Sequence, residues 1–150
     1  IRCGNIYGPG DFNLKRLIPE VILSTIQNKN FVIRSNGKST RDYVYVEDVV
    51  GAYIKLFNKL KNSKDKLKIY NVSSKFNYSV LEIIDMILTK MGNIKLKPII
   101  LNNSKQELNF QRLNYSKIQR ELNWKPKTNI RVGIKKTIDW YIKFYSFLKR

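Results

Sequence analysis

Apolar positions change period several times along the chain. Ile1–Ile6 reads as the end of a strand and runs into Tyr7-Gly8-Pro9-Gly10-Asp11, where paired glycines and a proline predict a loop. Leu17, Ile18, Val21, Ile22 and Ile26 recur at helical spacing, so 17–28 is expected to be a helix with Pro19 in its first turn, where a missing N–H costs nothing. Short β-branched or aromatic runs at Phe31–Ile33 and Tyr43–Val46 predict strands on either side of the Ser35-Asn36-Gly37 turn. Val49, Val50, Tyr53, Leu56, Phe57 and Leu60 mark one face of a second helix. A charged connector at 61–66 leads to a strand at 67–72. Ser79-Val80-Leu81-Glu82 is a capping-box pattern that starts a third helix, and Gly92 supplies its stop. A strand at 94–101, a short helix at 115–124 and a final helix at 130–148 complete the pattern. In the last helix Val132, Ile134, Ile138, Tyr141, Ile142 and Tyr145 are expected to face inward. The result is one mixed α and β unit of 150 residues without an internal repeat.

Composition narrows the chemistry. The chain has no histidine and a single cysteine, Cys3, so it cannot form an intrachain disulfide and offers neither the usual zinc ligand sets nor a histidine base. Charges, glycine or proline break every apolar stretch well short of 18 residues, so no membrane span is expected. No signal-peptide pattern opens the chain, and a cytoplasmic location is expected. The net charge of +18 raises a nucleic-acid-binding module as one reading. Against it, 21 of the 29 basic residues are lysines scattered along the chain, and lysine, isoleucine and asparagine (21, 19 and 16) are overused together, as A/T-rich codons would make them. No aromatic RNA signature or Cys/His finger accompanies the charge.

Familiar motifs fail in detail. Gly37-Lys38-Ser39 resembles the end of a P-loop, but that pattern needs a glycine where Val32 stands. Gly8-Pro9-Gly10 lacks the third glycine of a dinucleotide fingerprint. Tyr145 and Lys149 have the spacing of a proton-transfer pair, yet Tyr145 falls on the apolar face of a terminal helix. The Asn-x-Ser sequons at Asn71, Asn102 and Asn114 carry no weight in so asparagine-rich a chain.

Three segments are informative together: Arg2-Cys-Gly-Asn-Ile-Tyr-Gly-Pro-Gly-Asp11 with Arg16-Leu-Ile-Pro19; Gly37-Lys-Ser-Thr-Arg-Asp-Tyr-Val-Tyr-Val-Glu-Asp-Val-Val50; and Leu122-Asn-Trp-Lys-Pro126 ahead of Asp139-Trp-Tyr141. In this order and spacing, over essentially all 150 residues, they resemble the C-terminal half of extended short-chain dehydrogenase/reductases, the NAD-dependent sugar-nucleotide epimerases and dehydratases. Gly4–Asp11, Arg16–Pro19 and Val32-Ile-Arg34 look most like the CDP-glucose 4,6-dehydratase group. The resemblance implies an α/β fold, the C-terminal part of a Rossmann-type extended short-chain dehydrogenase with its small α/β substrate-binding domain. Residues 1–150 would supply the last sheet strands and most of that domain. The N-terminal cofactor-binding half, with its glycine fingerprint and Tyr-x-x-x-Lys pair, would lie outside this sequence, which opens without Met, so the chain alone is expected to be inactive.

The resemblance also implies a site. Its ligand would be a nucleoside-diphosphate sugar, its cofactor NAD and its full-length state a homodimer. Burying two phosphates calls for paired positive charge, and arginine's planar fork gives bidentate bonds to phosphate oxygens. Arg41 matches the family's diphosphate-binding arginine, Val32 and Arg34 the strand lining the base, and Arg16 and Leu17 the start of the helix over the substrate. Asn5 matches the strand-end amide at the sugar phosphate, and Ile6 would lie beside the nicotinamide through its backbone. Glu107 falls in a segment that contacts the nucleotide. Blander readings exist: a turn residue for Asn5, a solvated charge for Arg16, a surface ion pair for Arg41-Asp42 and a helix-dipole acid for Asp48. In a dehydratase, hydride leaves sugar C4 for NAD, the ketone acidifies the C5 proton, water is lost from C6 and the hydride returns there. An epimerase would instead return it to the other face of C4. The enzyme reading requires Asn5, Arg16, Arg34 and Arg41 to converge on one cleft, whereas a nucleic-acid binder should show a continuous basic face.

Overall fold

A computed structural model describes residues 1–61, 68–104 and 108–148. Very short strands form three sheets. β1 (Arg2–Cys3) pairs in parallel with β5 (Asn71–Val72). β2 (Asn5–Tyr7) pairs in parallel with β4 (Thr40–Tyr45), whose other edge runs antiparallel to β6 (Asn77–Ser79). β3 (Val32–Ile33) pairs in parallel with β7 (Ile99–Ile100). The helices are α1 (Leu17–Ile26), α2 (Val46–Leu60), α3 (Val80–Lys90), α4 (Ser116–Leu122) and α5 (Ile130–Leu148).

β4 is the hinge of the packing. Successive side chains of a strand point to opposite faces. Tyr43 and Tyr45 therefore enter one core with Tyr7, Ile22, Ile83 and Ile134, while Val44 enters another with Val49, Ala52, Tyr70 and Trp124. α3 begins as the pattern implies: the Ser79 side chain accepts from the Glu82 N–H at 3.2 Å, and the Ser79 N–H donates to the Glu82 carboxylate at 2.7 Å. Those bonds hold the Glu82 carboxyl below its ordinary pKa. Gly37 adopts a positive φ of 76°, and a Cβ there would stand 2.6 Å from Leu81, so the turn before β4 needs glycine on both counts.

The structure differs from the sequence reading in several places. β4 starts at Thr40 because its pairing with β6, a strand that the sequence reading took only as a helix cap, extends it upstream. The strand expected over 94–101 shrinks to Ile99–Ile100. Of the strand expected over 67–72, only Asn71–Val72 is regular; residue 67 and most of the 61–66 connector lie outside the described residues. In α5, Ile134, Ile138 and Tyr141 face the core as expected, but Val132 and Ile142 are exposed, and Ile130, Gly133 and Thr137 complete the buried side in their place. In α2 the inward residues are Asp48, Val49 and Ala52, and Val50, Tyr53, Phe57 and Leu60 are exposed. Asp48 is more than a dipole acid: its carboxylate accepts from the N–H groups of Lys127 and Thr128 at 3.1 and 3.0 Å, and its carbonyl from Trp124 Nε1 at 3.0 Å. This explains why the Trp124–Pro126 segment precedes α5 where it does.

Candidate functional site

β2, the loop after it and the start of α1 form a small cavity of about 70 Å³ lined by Asn5, Ile6, Tyr7, Asp11, Arg16 and Leu17. A larger one, about 680 Å³, is lined by Leu17, Val32 and Arg34 together with Lys15, Glu20 and Ser104. Its volume lies in the range of ligand sites. Leu17 lines both, so the two adjoin at the N-terminus of α1, where unpaired helix N–H groups favour an anion.

The side chains differ in how far they are committed. Asn5 is half-buried and Arg34 exposed, and neither side chain has a hydrogen bond or ion pair among the described residues. Arg16 is engaged: Nη2 donates to the Ile6 carbonyl at 2.7 Å, and Nη1 pairs with Asp11 at 3.1 Å. It ties the β2 strand end to the loop and leaves its outer face to solvent, with 43% of the side chain exposed. Ile6 thus has its carbonyl held at the strand end. Val32 is 40% exposed and offers an apolar face to the larger cavity.

Arg41 lies on β4 and lines neither of these cavities. Its Nη1 donates to the carbonyls of Thr40 (2.9 Å) and Leu108 (2.6 Å). Its neighbour Asp42 is not part of a surface ion pair. Asp42 is 2% exposed and accepts from the N–H and hydroxyl of Ser74 at 2.8 and 2.9 Å and from the Leu113 N–H at 3.3 Å. Glu107 lies outside the described residues. The four residues required to converge therefore divide: Asn5 and Arg16 share one cavity, Arg34 stands in the adjoining one, and Arg41 is held beside Leu108.

The buried phenols are structural. Burial pushes Tyr7 well above its ordinary pKa, and burial beside Glu47 pushes Tyr45 up to about 12. Their rings pack at 5.5 Å, and both stay neutral at physiological pH. Asp11 and Glu20 complete the cavity linings. No sequence motif marks Asp11 or Glu20 as a site residue; the signal for Glu20 is its place one turn after Leu17 on α1. Among the described residues no cluster of His, Cys, Asp and Glu could hold a metal ion, and no helix is long and apolar enough to cross a membrane.

Comparison with known proteins gives the class. Residues 1–73 match the NAD dependent epimerase/dehydratase family. The chain is 30% identical over 147 residues to a dTDP-glucose 4,6-dehydratase of Escherichia coli, an alignment covering 93% of this chain and 39% of the relative. The fold superposes on a UDP-glucose 4-epimerase of Thermotoga maritima, solved with UDP-glucose, at a TM-score of 0.84 and 24% identity, covering 96% of this chain and 45% of that one. It also matches a dTDP-glucose 4,6-dehydratase of Bacillus anthracis, solved with NAD, at a TM-score of 0.81 and 23% identity, covering 97% and 44%. Residues 1–73 thus carry the NAD dependent epimerase/dehydratase family match, and the chain has the α/β fold of these Rossmann-type neighbours. It spans about two fifths of the length of the curated relatives it matches.

Proposed function

We propose that residues 1–150 form the C-terminal, sugar-nucleotide-binding portion of an NAD-dependent nucleotide-sugar 4,6-dehydratase. The observation that carries this is the pair of cavities joined at Leu17, with an uncommitted amide on one side and an uncommitted guanidinium on the other. The base packs on Leu17 and Val32 in the larger cavity, beside Arg34. The diphosphate crosses the α1 N-terminus, where Arg16 offsets its charge, and the sugar phosphate accepts from Asn5; Arg41 joins them by turning its guanidinium from the Leu108 carbonyl to the diphosphate. Glu107 belongs to the same ligand-binding set. Of NAD, this chain fits an edge: β2 at Ile6 offers backbone to a nicotinamide, and Gly8-Pro9-Gly10 lacks the third glycine of the turn that holds a dinucleotide's diphosphate. NAD supplies the hydride acceptor for the sugar C4 when bound; this chain's residues hold and orient the sugar nucleotide against it. The complete protein acts in the cytoplasm as a homodimer and binds neither nucleic acid nor membrane.

The Escherichia coli relative is named for dehydration, the Thermotoga neighbour for epimerisation at C4. One experiment tests the proposal and separates the two. The complete protein is incubated in D2O with NAD and the glucose conjugates of UDP, dTDP and CDP, and products are read by mass spectrometry and NMR. A dehydratase loses water and takes up solvent deuterium at C5. Epimerisation without deuterium uptake would overturn the dehydratase assignment, and no turnover of any conjugate would overturn the proposal.

A further inference from the structure

Loop 8–16 carries both charged groups of the smaller cavity, Asp11 and Arg16, and contains no helix or strand. α5 grips it at two consecutive residues. Phe12 is 66% exposed, yet its ring lies edge-on to Trp140 (5.8 Å) and to Phe144 (5.5 Å). Trp140 and Phe144, one turn apart on α5, stack on each other at 4.9 Å with only 8° between their planes. One residue before Phe12, the Tyr141 hydroxyl donates to the Asp11 carbonyl. The Asp11 carboxylate in turn receives Arg16 and the Asn13 N–H. A chain of contacts therefore runs from α5 through Phe12 and Asp11 to the guanidinium over the Ile6 carbonyl.

We propose that the Phe12–Trp140–Phe144 cluster is a positioning latch, which holds loop 8–16 so that Arg16 is pre-set for an anionic ligand. The inference rests on reading the smaller cavity as part of the nucleotide-sugar site. An exposed aromatic seated on two others gains little for the core but limits the freedom of a loop. Ordering that loop in advance removes a cost that binding would otherwise meet. Phe12 is a positioning residue acting through Arg16, and it touches no ligand.

A double-mutant cycle in the complete protein tests this. UDP, dTDP and CDP are titrated into wild type, and the tightest binder serves as probe for Phe12→Ala, Phe12→Tyr, Arg16→Ala and the double variant. Aromatic pairs of this geometry predict a loss of about three- to tenfold in affinity for Phe12→Ala. Phe12→Tyr, which keeps the ring, binds as wild type. In the Arg16→Ala background Phe12→Ala adds less than about twofold, because coupled residues are non-additive. In turnover KM rises while kcat holds, and amide exchange quickens in loop 8–16 alone. Full additivity, or unchanged affinity in Phe12→Ala while Arg16→Ala weakens binding, overturns the latch and leaves the site reading intact. Unchanged affinity in Arg16→Ala overturns the site reading and the latch with it.

Discussion

Asp42 holds together the segments around β4, and its replacement by alanine is the most informative stability test. Its carboxylate is 2% exposed and satisfies two backbone donors from distant segments, the N–H groups of Ser74 (2.8 Å) and Leu113 (3.3 Å). The Ser74 hydroxyl also donates to it but already has a second acceptor in the Phe76 carbonyl at 2.6 Å, so losing Asp42 does not orphan it. For the two N–H groups Asp42 is the side-chain acceptor found among the described residues, and both belong to half-buried residues. A buried donor left unsatisfied costs about 1–3 kcal/mol, and water that reaches these half-buried groups holds each near the low end, so Asp42→Ala should destabilise the protein by about 2–3 kcal/mol. Asp42→Asn keeps one acceptor oxygen and should lose clearly less. Urea unfolding of the complete protein, followed by tryptophan fluorescence, gives both values. The loss should extend to the neighbouring segment, because the Thr40 N–H donates to Asn109 and the Gln111 N–H to Thr40, and Leu108 supplies the carbonyl that holds Arg41. An Asp42→Ala protein within about 1 kcal/mol of wild type would refute the reasoning, since such a value belongs to a surface pair.

The remaining predictions concern packing, ligand and pH. Gly133→Ala puts a Cβ 2.2 Å from the Tyr7 hydroxyl and 3.0 Å from the Tyr45 ring, so α5 must lift off the sheet; overpacking of this kind costs about 1–3 kcal/mol, and thermal unfolding should show it. Arg41→Ala should weaken nucleoside-diphosphate binding by about one to two powers of ten with NAD binding unchanged, and Arg41→Lys should restore only part; equal affinity in all three titrations would leave Arg41 a structural donor to Leu108. Burial raises the Tyr45 and Tyr141 phenols to about 12, above their unfolded value of 10.0, so their stabilising contribution is complete below about pH 10 and lost as pH climbs toward 12. Circular dichroism across that window should show unfolding with phenolate absorbance rising in step, and Tyr141→Phe should flatten the dependence.

How much of this was legible in the sequence depends on the range of the interaction. α1, α3 and α5 are set by apolar period and local capping, and the Ser79–Glu82 box is visible as written. The extension of β4 back to Thr40 was not, because it comes from pairing with Asn77–Ser79, more than thirty residues away. The roles of Asp42 and Asp48 were hidden for the same reason: their partners, Leu113 and Thr128, are separated from them by 71 and 80 residues. The apolar stripe of α2 runs along one side of the helix, but among the described residues its neighbours bury Val49, with Asp48 and Ala52 beside it, pack partly on Leu56, and leave Val50, Tyr53, Phe57 and Leu60 exposed. For the site, the family resemblance implied one ligand-binding set of Asn5, Arg16, Leu17, Val32, Arg34, Arg41 and Glu107; the first five line two cavities sharing Leu17, Arg41 lines neither, and Glu107 lies outside the described residues. That Arg16 is already paired with Asp11 depends on how the loop folds back over Ile6, which no local pattern encodes.

The central claim is that a nucleoside-diphosphate sugar lies across the junction at Leu17. A crystal structure of the complete protein with its nucleotide sugar tests it most directly. The account predicts the base against Leu17 and Val32 beside Arg34, the diphosphate at the α1 N-terminus within hydrogen-bond reach of Arg16 or Arg41, and the sugar end near Asn5. A nucleotide sugar bound elsewhere, for example in the cavity of about 220 Å³ lined by Tyr78, Lys75 and Lys127, with the Leu17 junction empty, would contradict it.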